Sequence, residues 1–188
     1  MEQQDNESKK IKLMVFAALF AALTAGIAWF KIPLPFTPVP ITLQTLAVLL
    51  SGALLGPYYG ALSMLLYIGV GALGLPVFAG GSSGIGVLLG PTGGYLFSYS
   101  IAAFAIGKLV EKKAKANKEI RFAHYAVAML AGTLIIYLLV GLQGMLVTGL
   151  SVKAIIIGWV APFIIGDAIK LLLAAYIAKS ANIKHYLK

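Results

Sequence analysis

Long apolar stretches, separated by short polar or irregular segments, dominate the pattern of the chain. A helix that crosses the hydrocarbon core of a bilayer needs about 20 mostly apolar residues. The pattern predicts six such spans, the second of them short, at residues 13–30, 41–55, 58–75, 92–107, 122–148 and 154–178. Residues 1–12 form a polar tail, and we expect its first ten residues to be disordered. Residues 13–188 are thus predicted to form an all-α integral membrane domain of six transmembrane helices.

Two of the connecting segments are predicted to be non-helical. Residues 31–40 carry four prolines in ten positions, and each proline removes a backbone donor and restricts the residue before it. Residues 76–91 are rich in glycine and end at Pro91. Such backbone survives at membrane depth only where protein or a wet cavity satisfies its polar groups. We therefore expect two irregular loops, both on the same side of the membrane.

The composition supports a membrane protein and excludes several classes of chemistry. Hydrophobic residues make up 60% of the chain and charged residues 11%, whereas a soluble domain has about 45–50% apolar and about 25% charged residues. The chain has no cysteine, and His124 and His185 lie far apart, so we expect no metal site. We expect no cofactor either. Gly107-Lys108 does not continue into a phosphate-binding loop, so ATP hydrolysis would require a partner.

The net charge of +9 is distributed as in a membrane protein rather than a nucleic-acid-binding one, so we expect no nucleic acid as a partner. Lys31 and Lys153 fall on one side of the predicted spans, and Lys170 falls within the sixth. The other twelve basic residues fall on the opposite side: Lys9, Lys10, Lys12, Lys108, Lys112, Lys113, Lys115, Lys118, Arg121, Lys179, Lys184 and Lys188. Basic residues favour the cytoplasmic side. We predict a multi-pass protein of the cell membrane with both termini in the cytoplasm, membrane lipid around it and both irregular loops outside.

The sixth span contains a pair of opposite charges, Asp167 and Lys170. Each costs roughly 2.5–3.5 kcal/mol inside a membrane helix, and residues three apart share a helix face. Trp159 and Phe163 fall on the same face. This face would suit a small polar ligand with an apolar body. The alternative is an ion pair that only stabilises helix packing.

Further candidates for ligand binding come from the glycine-rich loop and from isolated amides. Glycine allows close approach of the backbone, and free N–H groups at a helix start can bind an anion or a carbonyl oxygen. Gln44 and Gln143 lie in otherwise apolar spans and would bond either another helix or a ligand. The candidates in and after the loop are Ser83, Gly84, Thr92 and Tyr95, and Tyr99, four residues after Tyr95, could line the same cavity.

Two other patterns have competing interpretations. Gly81-Ser82-Ser83-Gly84 fits the Gly-x-Ser-Gly pattern of intramembrane serine proteases, but both histidines are predicted on the opposite side, and a serine nucleophile needs a base within reach. The first span repeats small residues at Ala17, Ala21 and Ala25. Such a face lets helices pack closely, either within the chain or against another membrane protein.

Several stretches together resemble the BioY family, the biotin-specific S components of energy-coupling-factor (ECF) transporters. They are FTPVPITLQTLAVLLSGALLGPYYG (residues 36–60), GLPVFAGGSSGIGVLLGPTGGY (74–95) and PFIIGDAIK (162–170). The resemblance implies a substrate-capture subunit with its site near the outer face, under the first loop, which contains Phe36. It also implies a transmembrane coupling subunit, docked on Ala17, Ala21 and Ala25, and two cytoplasmic ATPase subunits.

The functional prediction is therefore biotin capture from the outer side for ATP-driven uptake. Asp167 would accept the ureido N–H groups, Lys170 would bind the ureido oxygen or the carboxylate, and Trp159, Phe163 and Tyr95 would cover the rings. The alternatives are an S component for thiamine or riboflavin, an intramembrane hydrolase that uses Ser82 or Ser83, and a purely structural subunit.

Overall fold

The computed structural model describes residues 2–116 and 120–181, with side chains from residue 7 onward. The larger elements are α1 (Glu2–Ala28), β1 (Lys31–Leu34), β2 (Thr37–Thr42) and α2 (Gln44–Ala72), then α3 (Ile85–Leu89), α4 (Gly93–Lys115), α5 (Phe122–Thr148), α6 (Val152–Ile155) and α7 (Ile164–Ser180). A 3₁₀ turn (Ala79–Gly81) precedes α3, while a π-helical segment (Ile156–Val160) and a second 3₁₀ turn (Ala161–Phe163) join α6 to α7.

The predicted class, a mostly helical membrane protein, is confirmed. Within the described residues, 5 helical segments are long and apolar enough to cross a membrane: Glu7–Ala28, Gln44–Ala72, Gly93–Lys115, Phe122–Thr148 and Val152–Ser180. The count of six is not confirmed, because the second and third predicted spans form the single element α2.

The element α2 is not straight, however, and it reverses direction at Gly56. This glycine has φ 78° and ψ −176°, outside the helical region, and Pro57 follows it. Gln44 Nε2 donates a hydrogen bond to Tyr67 Oη at 2.5 Å, across 23 residues that would span about 34 Å in a straight helix. The halves 44–55 and 57–72 therefore pack antiparallel, which agrees with the predicted break at Gly56-Pro57.

Close packing of the two halves depends on Gly60. A Cβ atom added there would lie 2.9 Å from the Cα of Gly52. In a straight helix, residues this far apart in sequence are separated by about 12 Å along the axis. Two glycines facing each other thus let the backbones of the two halves come into contact.

The expectation of a disordered N-terminal tail is wrong, since α1 begins at Glu2. Residues 2–12 contain neither proline nor glycine and are rich in glutamine, glutamate and lysine, so the helix of the apolar span continues into them. For the same reason α4 extends to Lys115, beyond residue 107, where the fourth predicted span ends. There Lys115 pairs with Glu111 at 2.6 Å, one turn away. Met1 and the C-terminal residues beyond 181 lie outside the described part.

The proline-rich segment is non-helical, as predicted, and forms an antiparallel hairpin. Lys31 pairs with Thr42 and Leu34 with Thr37, with an irregularity between Ile32 and Leu34. A two-stranded ribbon has two open edges, so residues without an N–H group fit there without a lost ladder bond. The hairpin connects α1 to α2 at one end of the helices.

The glycine-rich loop is fixed to the end of α2. Phe78 is buried, and a side chain at Gly71 would overlap its ring. The amide of Gly84, which has φ 92°, donates to the carbonyl oxygen of Gly71 at 2.8 Å. The loop therefore has a defined position beside the hairpin.

The sixth predicted span is helical but irregular between residues 156 and 163. Pro162 has no N–H group and cannot donate to the carbonyl of residue 158. The chain takes a π-helical segment and then a 3₁₀ turn before α7 begins at Ile164. This irregular part buries the side chains of Trp159 and Phe163.

Candidate functional site

A cavity of about 230 Å³ lies between the hairpin, the glycine-rich loop and the first turns of α2 and α4. This volume is somewhat smaller than that of typical small-molecule sites, about 300–1,000 Å³. Its walls combine apolar rings with hydroxyl, amide and ammonium groups. The lining residues are Lys31, Pro38, Val39, Pro40, Thr42, Gln44, Phe78, Ala79, Ser82, Val87, Thr92, Tyr95, Leu96 and Tyr99.

The polar wall of the cavity is held by a network of side chains. Gln44 is buried and accepts a hydrogen bond from Thr42 Oγ1 at 3.0 Å while donating to Tyr67. Tyr95 donates to the carbonyl oxygen of Trp159 at 3.1 Å, and Tyr99 lies one turn further along α4. These hydrogen bonds orient the side chains of Gln44 and Tyr95 along the cavity wall.

Of the residues predicted from the sequence, Gln44, Thr92 and Tyr95 line this cavity. Lys31, Ser82 and Tyr99 also line it, and neither Lys31 nor Ser82 was predicted to bind a ligand. Tyr99 was expected there, because it lies four residues, about one helical turn, after Tyr95. The signal that could have identified Lys31 is its charge, because it is one of the two basic residues predicted on the outer side of the membrane.

Asp167 and Lys170 meet in a buried network between α2, α5 and α7. Lys170 Nζ lies 2.9 Å from Asp167 Oδ1, and the two side chains are 11% and 9% exposed. Thr45 Oγ1 donates to the same carboxylate oxygen at 3.2 Å and accepts from Lys170 at 3.1 Å. Tyr137 Oη donates to Oδ2 at 2.7 Å. Both charges are therefore paired and largely buried.

The charged network does not line the cavity but lies close behind its polar wall. Thr45 follows the lining residue Gln44 directly. Tyr95, which lines the cavity, donates to the carbonyl oxygen of Trp159, eight residues before Asp167 along the chain. The sequence had predicted direct ligand contact for Asp167 and Lys170, whereas in this structure the wall residues stand between them and the open volume.

Trp159 and Phe163 also lie behind the wall. Both are buried, and they share an apolar cluster with the lining residues Val39, Phe78 and Tyr99. A side chain at Gly144 would overlap the Trp159 ring, so α5 makes room for it. In this structure the two rings support the cavity without facing its open volume.

Four further predicted residues do not line the cavity, and two of them, Gln143 and Gly84, hold the loops instead. Gln143 Nε2 donates to the carbonyl oxygens of Leu88 at 2.8 Å and Gly90 at 3.0 Å, and thereby fastens the start of α4 to α5. The Gly84 amide donates a hydrogen bond to the carbonyl oxygen of Gly71. Ser83 does not line the cavity, whereas its neighbour Ser82 does. Phe36 is at the tip of the hairpin and is 64% exposed.

The alanine face of α1 is partly internal and partly open. Ala17 is 0% exposed, so it packs inside the chain. A docking residue would have to lie on the surface, and Ala17 does not. A groove of about 380 Å³ follows the rest of the face, between α1 and the second half of α2. It is lined by Ala18, Ala21, Ala22, Ala25, Leu66, Tyr67, Val70 and Val77.

The geometry gives no support to serine hydrolysis. Ser82 Oγ donates to the carbonyl oxygen of Ala79. His124 lies in the first turn of α5, whereas Gln143, on the same helix, contacts the loop that carries the serines. The 19 residues between them span about 28 Å. His185 lies outside the described residues, and among those described no group of three or more His, Cys, Asp or Glu side chains could hold a metal ion.

Apolar helices of spanning length define a multi-pass helical membrane protein, and the cavity is its candidate small-molecule site. A solved structure of the same kind, the S-component for biotin from an ECF-type ABC transporter, matches with a TM-score of 0.88 and 27% identity over 96% of this chain and 98% of that chain.

Sequence comparisons point to the same family. The biotin transporter BioY of Thermotoga maritima is 45% identical over 172 residues, which cover 89% of this chain and 94% of that protein. The biotin transporter BioY of Rhodobacter capsulatus is 41% identical over 171 residues, covering 86% and 88%. The sequence model of the BioY family matches residues 1–186. The chain belongs to the BioY family, and the resemblance predicted from its motifs is confirmed.

Proposed function

We propose that this protein is the substrate-binding S component of an ECF-type transporter and that it captures biotin from the outer side of the cell membrane. The observation that carries this proposal is the cavity under the hairpin, with a hydrogen-bonded polar wall and a buried charge pair behind it. Its relatives are biotin transporters, and a solved biotin S-component shares its fold.

The chemistry of the cavity suits the two ends of biotin. Biotin has a ureido group with two N–H donors and a carbonyl, an apolar thioether ring, and a carboxylate tail. Gln44, Tyr95 and Tyr99 offer donors and acceptors beside apolar rings. We propose that the ureido group enters first and displaces part of the wall, so that Asp167 accepts its N–H groups. Charge-assisted hydrogen bonds of this kind are the strong ones.

Six membrane crossings, rather than five, fit this arrangement. The hairpin follows α1 and Thr92 precedes α4, yet both line one cavity. Between them the chain must therefore return to the side from which it left, and the reversal of α2 at Gly56 supplies the extra crossing. The twelve-to-two division of basic residues then puts both termini in the cytoplasm and the cavity on the outer side.

For uptake the protein requires partners, and we propose a transmembrane coupling subunit with two cytoplasmic ATPase subunits. The chain carries no phosphate-binding loop of its own. The groove beside Ala18 and Ala22 is apolar and lined by small residues, which allow close approach of another helix in lipid. Ala21 and Ala25, predicted as docking residues, lie in the same groove.

The proposal is tested by titrating the detergent-purified protein with biotin and following tryptophan fluorescence. Trp159 reports on the site because its carbonyl oxygen accepts from the cavity residue Tyr95. We expect a saturating change with biotin and none with thiamine or riboflavin. Isothermal calorimetry checks the same titrations without an optical probe. Saturation with thiamine or riboflavin, and none with biotin by either method, would overturn the assignment.

A further inference from the structure

We propose that Lys31 binds the carboxylate of the ligand at the mouth of the cavity, with the ureido end directed toward Asp167 and Lys170. This inference rests on the proposed function and deepens it by fixing the direction in which biotin lies. It assigns a role to a residue of the hairpin that was not predicted from the sequence.

The first observation is that Lys31 is the charged residue among those that line the cavity. An ammonium group at the wall of a partly enclosed site attracts an anion more strongly than one in open water, because nearby apolar groups lower the effective dielectric constant. The start of α4 lies on the same cavity at Thr92, and a helix N-terminus adds partial positive charge there. The mouth of the cavity is therefore electropositive.

The second observation is that Lys31 has no carboxylate partner in the described part of the chain. The chain has 6 acidic residues. Those at positions 2, 5 and 7 lie in the first turns of α1, about 30 Å or more along the helix from Ala28. Glu111 pairs with Lys115 at 2.6 Å and Asp167 with Lys170 at 2.9 Å. Glu119 is outside the described residues.

The third observation is that Lys170 is already committed. Its ammonium group contacts Asp167 Oδ1 and Thr45 Oγ1, and its side chain is 11% exposed. Withdrawing it toward a ligand carboxylate would leave the buried Asp167 charge unpaired, which is strongly unfavourable. A ureido oxygen, being neutral, can approach the pair without breaking it. The carboxylate therefore needs a different cation, and Lys31 supplies it.

The glycine-rich loop gives the Lys31 side chain its position. Gly80 has φ 67°, and a Cβ atom added there would overlap Cδ, Cε and Nζ of Lys31. The lysine stem therefore lies across the backbone of Gly80, while its own backbone is fixed by pairing with Thr42 across the hairpin. Both walls of the mouth thus define where the ammonium group lies.

The test compares biotin with its neutral methyl ester in the wild-type protein and in Lys31→Met, Lys31→Arg and Lys153→Met. Lys153 is the matched control, since it is the other lysine predicted on the outer side but does not line the cavity. We expect Lys31→Met to weaken biotin binding about tenfold or more, because a charge-assisted hydrogen bond is lost. Binding of the ester, which has no carboxylate, should be unchanged. Lys31→Arg should retain most of the affinity, and Lys153→Met all of it.

A charge reversal gives a second measurement that does not depend on the ester. In Lys31→Glu we expect biotin to bind poorly and a cationic amide of biotin with ethylenediamine to bind better than biotin does. Equal biotin affinity in Lys31→Met and wild type would overturn the inference, and so would an equal loss of biotin and ester. A wild-type protein that binds neither ligand would instead overturn the proposed function.

Discussion

Tyr137 of α5 donates a hydrogen bond of 2.7 Å to Oδ2 of Asp167 on α7. This bond occupies the carboxylate oxygen that is not shared by Thr45 and Lys170. The Asp167 carboxylate is thus linked to three other side chains, one each from α2, α5 and α7. The buried charge joins three helices at the level just behind the cavity wall.

The first prediction concerns that bond. Tyr137→Phe removes a donor from a buried charge, and we expect the free energy of unfolding to fall by about 1.5–3 kcal/mol, as for other hydrogen bonds to charged groups. Thermal unfolding in detergent measures the loss. Tyr176→Phe is the matched control, because Tyr176 is on α7 but is 64% exposed. Equal melting temperatures for the two variants would show that the bond contributes nothing.

The second prediction separates stability from binding at the ion pair. Asp167→Asn or Lys170→Met alone leaves a buried charge without its partner, so we expect a loss of about 3–5 kcal/mol in stability together with the loss of biotin binding. The double variant leaves no charge unpaired and should recover much of the stability but none of the affinity. Lys179→Met, also on α7 and exposed, is the control.

Melting temperature and biotin titration are measured on the same samples. A double variant that binds biotin as tightly as the wild type would refute direct recognition by the pair. The pair would then serve only to hold the helices together, which is the alternative that the sequence left open.

The helical class and most of the helices could be predicted from hydropathy, and the reason is physical. In a bilayer every backbone polar group must be satisfied internally, so long apolar stretches have helices as their main option. The fifth predicted span coincides with α5, residues 122–148. The start of α1 and the end of α4 could not be predicted in this way. Both consist of polar residues, whose backbone can be hydrogen-bonded to water in helix and coil alike.

The cavity was harder to predict, because its lining comes from four separate segments. Sequence spacing brings Asp167 and Lys170 together on one face, and it also relates Tyr95 to Tyr99. No spacing relates Lys31 to Gly80, or Gln143 to the carbonyl of Leu88, since these contacts depend on how the hairpin and the loop fold over the helices. The proline pattern excluded a helix but did not specify strands.

The third prediction tests the reversal of α2. Gly60→Ala puts a Cβ atom 2.9 Å from the Gly52 backbone, so the two halves must move apart, and overpacking of this kind typically costs about 1–3 kcal/mol. Gly69→Ala is the matched control, because an added Cβ there meets nothing within 4 Å. It should be neutral or stabilising by up to about 1 kcal/mol, since alanine favours helix more than glycine does.

Thermal unfolding of both α2 variants decides the point. If Gly60→Ala is as stable as Gly69→Ala, the halves of α2 do not make the close contact described above. A sixth crossing of the membrane would then lack its main structural support.

The last prediction concerns the groove on α1. Ala22→Trp fills a groove lined by small residues without touching the cavity. If the coupling subunit docks there, we expect this variant to bind biotin with wild-type affinity but to lose co-purification with the coupling subunit and biotin uptake in cells that express the whole transporter. Leu19→Trp is the control, because Leu19 is exposed on α1 but does not line the groove.

Uptake that persists in Ala22→Trp, or falls equally in both variants, would place the docking surface elsewhere on the molecule. A simultaneous loss of biotin binding would mean instead that the tryptophan disturbs the fold through Tyr67, which lines the groove and bonds Gln44 at the cavity wall.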